Sequence, residues 1–206
     1  MPEWSTYTLG DFLMFSPQAY WRLVERYQAA WWPAQLVGVG ASLATGALLL
    51  RPAARAHAVA LALVGVGWLW TAWAFWWQQY AQIFIAATWI GVAAGAQGLA
   101  LLWLAAVHFS LDTGPGNAGS AAGLWRRRAG ALLWAIGAAY PLAAPLTGQS
   151  WLRAEVPGFM PDPTAWLTLG VLMAASGPRM WVRAVLAMVP LAMLVLGALT
   201  RVLLAG

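Results

Sequence analysis

The sequence predicts an all-α fold: a polytopic membrane bundle of six transmembrane helices, preceded by an N-terminal interfacial amphipathic helix. Three observations predict it. Of the 206 residues, 62% are hydrophobic and only 8% are charged, with 16 Trp, whereas a soluble domain carries about 25% charged residues. Apolar runs recur along the chain, most of them long enough, at about 1.5 Å per residue, to cross a hydrocarbon core of ~30 Å. Finally, the cations are all Arg and gather at the ends of these runs rather than inside them, as loops flanking membrane helices require.

The chain reads as one integral membrane domain, 1–206, with no loop long enough to hold a soluble unit. Residues 1–29 are polar and aromatic by turns. Ser16-Pro17 is a helix start in which Ser caps and Pro takes the first turn. The helix that follows carries Tyr20, Trp21, Val24 and Tyr27 on or near one side and offers Arg22, Glu25 and Arg26 to water, which suits an interfacial position. A first crossing over about 33–50 stops at Arg51-Pro52.

The next two crossings, 59–77 and 83–107, form the hairpin around which the rest is organised. In its first arm Trp70, Trp73, Trp77 and Tyr80 fall at 3, 4, 3 spacing, which places them on one helical face. In the second arm Thr88, Gly91, Gly95 and Gly98 share a face of small residues that admits a close neighbour, so this arm is the expected bundle centre. The turn between them, Gln78 to Gln82, is polar but uncharged.

A Gly- and Ser-rich loop then ends at Arg126-Arg127-Arg128, read as a stop signal beside anionic lipid, and the fourth crossing covers about 129–147. The segment 147–163 is the least regular. Asp162-Pro163 reads as a cap and first-turn pair opening a fifth helix, 164–176, that is shorter than a full span. Such a helix either starts recessed, turning its free N–H groups toward a solute, or tilts little and thins the bilayer locally. A sixth crossing covers about 182–203, with Pro190 as a kink.

The Arg distribution sets the topology. Arg51, Arg55, Arg126, Arg127, Arg128, Arg179 and Arg183 collect on one side, which is expected to be cytoplasmic. Arg22, Arg26, Arg153 and Arg201 fall on the other, offset by carboxylates. Both termini are then expected outside the cytoplasm. There is no basic region ahead of an apolar stretch near Glu3 and Asp11, so no cleaved signal peptide is expected. The absence of Cys excludes disulfides and thiolate sites. Nothing points to a nucleic-acid partner, because the net charge of +5 has its explanation in the loops.

The run Trp4, Tyr7-Thr8-Leu9, Asp11-Phe12-Leu13-Met14-Phe15-Ser16 and Tyr20, together with Pro161-Asp162-Pro163-Thr164 and Thr168-Leu169-Gly170, resembles an uncharacterised, domain-of-unknown-function family of polytopic bacterial membrane proteins. The resemblance covers essentially the whole chain. It implies the bacterial plasma membrane and carries no activity. Members often have Cys between the two prolines where this chain has Asp162, so a thiol role at that position does not transfer.

Several constellations are candidates for function. Gln97 sits mid-crossing, as helix-to-helix glue or as a solute contact. An outward vestibule could gather Gln78, Gln79, Gln82, Gln149, Arg153 and Asp162 beside the recessed helix. Glu25, Glu155 and Asp162 are outward carboxylates, read as capping and surface groups rather than an acid–base pair. His57 and His108 lie at the cytoplasmic ends of neighbouring crossings, as weak haem, chlorin or metal ligands or as solvated interfacial groups. The stripe Trp70, Trp73, Trp77, Tyr80 packs within the bundle, docks a second membrane protein or a copy of the chain, or forms a wall for a quinone, pigment or lipid.

No catalytic motif, metal signature, phosphate loop or dinucleotide fingerprint is present. No enzyme activity, cofactor or metal is therefore expected. The first functional expectation is a non-catalytic membrane protein acting by association, as an accessory subunit of an assembly or a homo-oligomer. It is favoured because the crossings lack the ionisable residues that pumps display. The alternative is a transporter or channel for a small neutral or weakly polar solute.

Overall fold

A computed structural model describes residues 16–51, 53–110, 121–175 and 179–205. The N-terminal run from Trp4 to Phe15, the chain termini, the centre of the loop before Arg126 and the Ser176–Pro178 turn lie outside the described residues. Every regular element among the described residues is helical: α1 Pro17–Ala30, α2 Gln35–Leu49, α3 Ala54–Trp70, α4 Ala87–Ser110, α5 Ala121–Ala139, α6 Ala143–Leu146, α7 Pro161–Ala174 and α8 Met180–Ala205.

Among the described residues, four stretches are long and apolar enough to cross a membrane: Ala54–Gln82, Ala87–Phe109, Gly123–Leu146 and Met180–Leu204. A fifth arises only if α1 and α2, bent by 85°, are taken as one broken span. By length and composition the described residues thus hold four to five candidate spans, against the six crossings expected. At 1.5 Å per residue, the 15 residues of α2 and the 14 of α7 reach only about 22 and 21 Å. The fourth crossing also begins earlier than expected, because the helix runs through Arg126, Arg127 and Arg128; Arg is a good helix former and prolongs it.

The start of α1 follows its sequence signal. Ser16 accepts a hydrogen bond from the Ala19 N–H at 3.2 Å, and Pro17 takes the first position. Leu23, Val24, Tyr27 and Gln28 turn inward, while Arg22 and Arg26 stay exposed.

The centre of the bundle is α7, not α4 as the small-residue face suggested. Twelve of its fourteen residues are buried, because α3, α5 and α8 all pack around it. Glycines make the closest approach possible: a Cβ on Gly170 would lie 2.6 Å from the Trp134 nitrogen and 2.8 Å from the Gly130 oxygen. The glycine face of α4 serves α3 instead. Gly98 sits against Gly65 and Leu69, Gly95 over Ala72, and Gly91 beneath the Trp77 ring.

After Trp70 the helix widens into a π-helical stretch, Thr71–Trp77, marked by the Gln78 N–H donating to the Trp73 oxygen at 3.1 Å. This i→i+5 bond inserts extra rotation, so the 3, 4, 3 spacing no longer defines one face.

Candidate functional site

The site lies at the end of the bundle where α1, the Ala154–Met160 loop, α7 and the last turns of α8 meet. The loop carries no regular structure, so side chains from other elements satisfy its backbone. Gln28 Nε2 donates to the Ala154 oxygen at 2.6 Å, and Gln35 Nε2 in turn donates to Gln28 Oε1 at 2.9 Å. Tyr27 Oη donates to the Phe159 oxygen, and Thr71 Oγ1 to the Gly158 oxygen. Thr164 Oγ1 accepts from the Gly158 N–H at 2.7 Å and donates to the Met160 oxygen at 2.6 Å. Gly158 has φ of +80°, a conformation that favours glycine, and its Cα packs against Gly67.

This scaffold turns two carboxylates inward. Glu155 and Asp162 are only 8% and 3% exposed, and both meet Arg201 of α8. Arg201 Nη2 donates to Glu155 Oε1 at 3.2 Å, to Oε2 at 3.3 Å, and to Asp162 Oδ2. Its guanidinium lies over the Tyr140 ring at 5.6 Å. Gly197, one turn earlier on α8, makes room: a Cβ there would collide with the Asp162 carboxylate.

Two buried carboxylates thus share one half-exposed cation. Buried charges are tolerated only when paired. Burial therefore pushes the Glu155 carboxyl above its ordinary range, the neighbouring Asp162 charge adds to this, and Arg201 opposes it. A second pair, Arg153 Nε to Glu25 Oε1 at 2.6 Å, lies nearer the surface, with Arg153 over the Trp21 ring at 5.1 Å.

Two cavities meet at this cluster. The outer one, about 430 Å³, is lined by Trp21, Tyr140, Thr147, Gln149 and Arg153 among others. The inner one, about 30 Å³, is lined by Tyr20, Trp76, Tyr80, Asp162 and Thr200 among others, and has room for water. Glu155 and Arg201 line both, so their ion pair stands between them. The buried Trp76 Nε1, in a residue on the inner cavity's wall, has no hydrogen-bond partner among the described residues. A third cavity of about 380 Å³ lies between α2, α3 and α7, with Val37, Gly38, Gly67 and Phe159 in its largely apolar wall.

The sequence-predicted residues fall into separate places. Gln149 and Arg153 line the outer cavity, and Asp162 lines the inner one. Asp162 is not a helix cap: Met160 takes the cap position, Pro161 begins the helix, and the Asp162 carboxylate turns to Arg201. Gln78, Gln79 and Gln82 are not among the lining residues; Gln82 Nε2 bonds back to the Gln78 oxygen within the turn. Gln97 is remote from the cluster and donates from Nε2 to the Leu186 oxygen at 2.8 Å, clasping α4 to α8.

His57 and His108 are buried at the opposite end, where His57 is hydrogen-bonded to the backbone of Leu49 and Arg51 at the end of α2. No group of three His, Asp or Glu able to hold a metal occurs among the described residues.

The aromatic stripe is divided rather than continuous. Trp70 packs into a cluster with Trp31 and Phe159 at 4.7 and 5.3 Å between ring centres. Trp73 and Trp77 are 44% and 42% exposed, and the Trp77 indole donates to the Thr88 oxygen at 3.1 Å. Tyr80 is buried on the inner cavity wall. The π-helical turn is the physical reason for the split.

The cluster itself escaped sequence reasoning. Glu155 and Arg201 are 46 residues apart and share no motif. The one available signal was Arg201, the single charge in α8 after Arg183.

Fold and site together define an all-helical bundle of long apolar helices with a buried carboxylate–guanidinium cluster beside an open vestibule. The chain belongs to DUF6064, a family of unknown function, whose model matches residues 17–202 and so spans the whole cluster. No curated protein and no solved structure matches it.

Proposed function

We propose that the chain is a multi-pass protein of the bacterial plasma membrane that admits a small solute, from the non-cytoplasmic side, into the vestibule above Glu155 and Arg201. The observation that carries this reading is the vestibule of about 430 Å³, within the range of small-molecule sites, whose inner wall is an ion pair between two cavities. Its membrane setting is supported by the apolar outer surfaces of α5 and α8, where Leu132, Val185 and Val195 are exposed. Its orientation is supported by the Arg-rich opposite end, with Arg51, Arg55, Arg127 and Arg183.

Association as an accessory subunit is the second reading, favoured by the exposure of Trp73 and Trp77, while Glu155, Asp162 and Arg201, gathered at the end of the bundle, favour the solute reading. Other exposed Trp residues, among them Trp32, Trp89, Trp103, Trp125 and Trp181, belong to several elements, as contact with lipid interfaces requires.

The test is thermal unfolding of the protein in lipid nanodiscs against a panel of small amides, polyols, organic acids and amines. A bound solute raises the transition by mass action. Thr147 is exposed on the vestibule rim, so Thr147→Trp is expected to remove the response while leaving the unliganded transition unchanged. No response from any solute class, with a second protein co-purifying at fixed stoichiometry, would restore the association reading.

A further inference from the structure

We propose that the solute is a small monocarboxylic acid, bound as its anion at Arg201 and Arg153 together with one proton on Glu155. This rests on the vestibule reading above and names the substrate class for it.

The charge count makes the case. Glu155 is faced by Asp162 from α7, Arg201 from α8, Tyr140 from the end of α5, Tyr20 from α1 and Tyr80 from the turn after α3. Of these only Arg201 is cationic, and it is shared with Asp162. The other guanidinium in the vestibule wall, Arg153, is held by Glu25. The buried cluster therefore carries one negative charge more than its cation balances, and that charge needs a proton or an exchange partner.

A ligand carboxylate can take the place of the Glu155 carboxylate on Arg201, whose side chain is 43% exposed and lines the vestibule. If Glu155 accepts a proton as this happens, Arg201 and Asp162 keep their charges and the ligand's charge replaces that of Glu155. The cluster's net charge is then unchanged, and what has been added is an anion plus a proton, a neutral pair. Neutral additions are far cheaper to bring below a membrane surface than lone ions. The smaller cavity shares Glu155 and Arg201 with the vestibule, and its wall includes Trp76, whose N–H has no partner among the described residues, and the hydroxyl-bearing Thr200. It gives the displaced acid polar groups to meet.

The two guanidinium groups in the vestibule wall, Arg153 and Arg201, are hydrogen-bond donors only and match the acceptor oxygens of a carboxylate. The body of the ligand meets Trp21, Tyr140, Ala144 and Leu204, which suits an apolar or aromatic acid.

Isothermal titration of the full-length protein in nanodiscs with benzoate, benzamide and benzylamine, across pH 5 to 9 and in buffers of different ionisation enthalpy, tests this directly. Above the Glu155 titration benzoate is expected to bind with uptake of about one proton and to weaken about tenfold per pH unit; below it, where Glu155 already holds its proton, no uptake is expected. Glu155→Gln, which keeps the hydrogen-bonding shape, is expected to bind benzoate with no proton uptake and no such pH dependence. Benzoate binding to the unaltered protein without proton uptake above that titration would overturn the proposal, independently of how the variant folds. Preference for benzamide or benzylamine would overturn it while leaving the vestibule reading intact. No binding of the three would overturn the acid assignment, and the vestibule reading would fall as well if the unaltered protein gave no thermal response to any member of the solute panel.

Discussion

Trp68 and Thr168, one hundred residues apart, are joined by a 2.7 Å hydrogen bond from the indole Nε1 to the threonine hydroxyl, and both side chains are fully buried. The hydroxyl passes its own proton to the Thr164 oxygen at 2.6 Å. The bond ties α3 to the central α7, and through Thr164 it reaches the loop that carries Glu155.

Thr168→Val keeps the shape but leaves the indole N–H buried without an acceptor. It is expected to cost about 1–3 kcal/mol and to lower the thermal transition measured in detergent, while Thr168→Ser restores it. An unchanged transition for the valine variant would show that the bond contributes nothing.

Gly170 and Gly40 should respond in opposite ways to alanine. At Gly170 the new methyl meets backbone atoms of α5, which cannot move aside as a side-chain tip can, so a loss of about 1–3 kcal/mol is expected. At Gly40 nothing lies within 4 Å, and alanine in an exposed helical position is expected to stabilise by up to about 1 kcal/mol. Thermal unfolding of the two variants side by side decides it.

Gln97→Leu removes the clasp to the Leu186 oxygen. Intramembrane hydrogen bonds average about 0.6 kcal/mol, so a small drop in stability with unaltered solute binding is expected. Loss of solute response at full stability would place Gln97 on the solute path instead.

The raised Glu155 carboxyl makes stability depend on pH with a definite sign. Between its ordinary value of 4.5 and its raised folded value, the folded chain holds a proton that the unfolded chain releases. The contribution of this group is therefore fully present at low pH and is lost as pH rises through that window. Glu155→Gln should flatten this part of the profile. A wild-type transition that rises across the same window, with no difference from the variant, would refute the assignment.

The absence of Cys makes the proposed orientation easy to check. Ser150 and Ala53 are exposed at opposite ends of the bundle, so Ser150→Cys should react with an impermeant thiol reagent added outside cells and Ala53→Cys only after lysis. The reverse pattern would invert the topology.

What the sequence determined by itself were properties carried by neighbouring residues. Helical character, the Ser16-Pro17 start, the long apolar stretches ending near Gln82, Phe109 and Leu204, and the Arg-rich end are all written in local composition, because helix periodicity and hydropathy act over a few turns. The small faces of α4 were also legible, though not which helix they would meet. Tertiary structure alone decided that α7 is central, that the π-helical turn divides Trp70 and Trp73 from Tyr80, and that Asp162 binds Arg201 rather than capping its helix. It also assembled the cluster, with Glu25, Tyr140, Arg153, Glu155, Asp162 and Arg201 drawn from segments with no common spacing. A charge becomes a site only when burial removes its water and leaves a distant partner as its sole compensation, and burial is a property of the packed chain, not of any stretch of it.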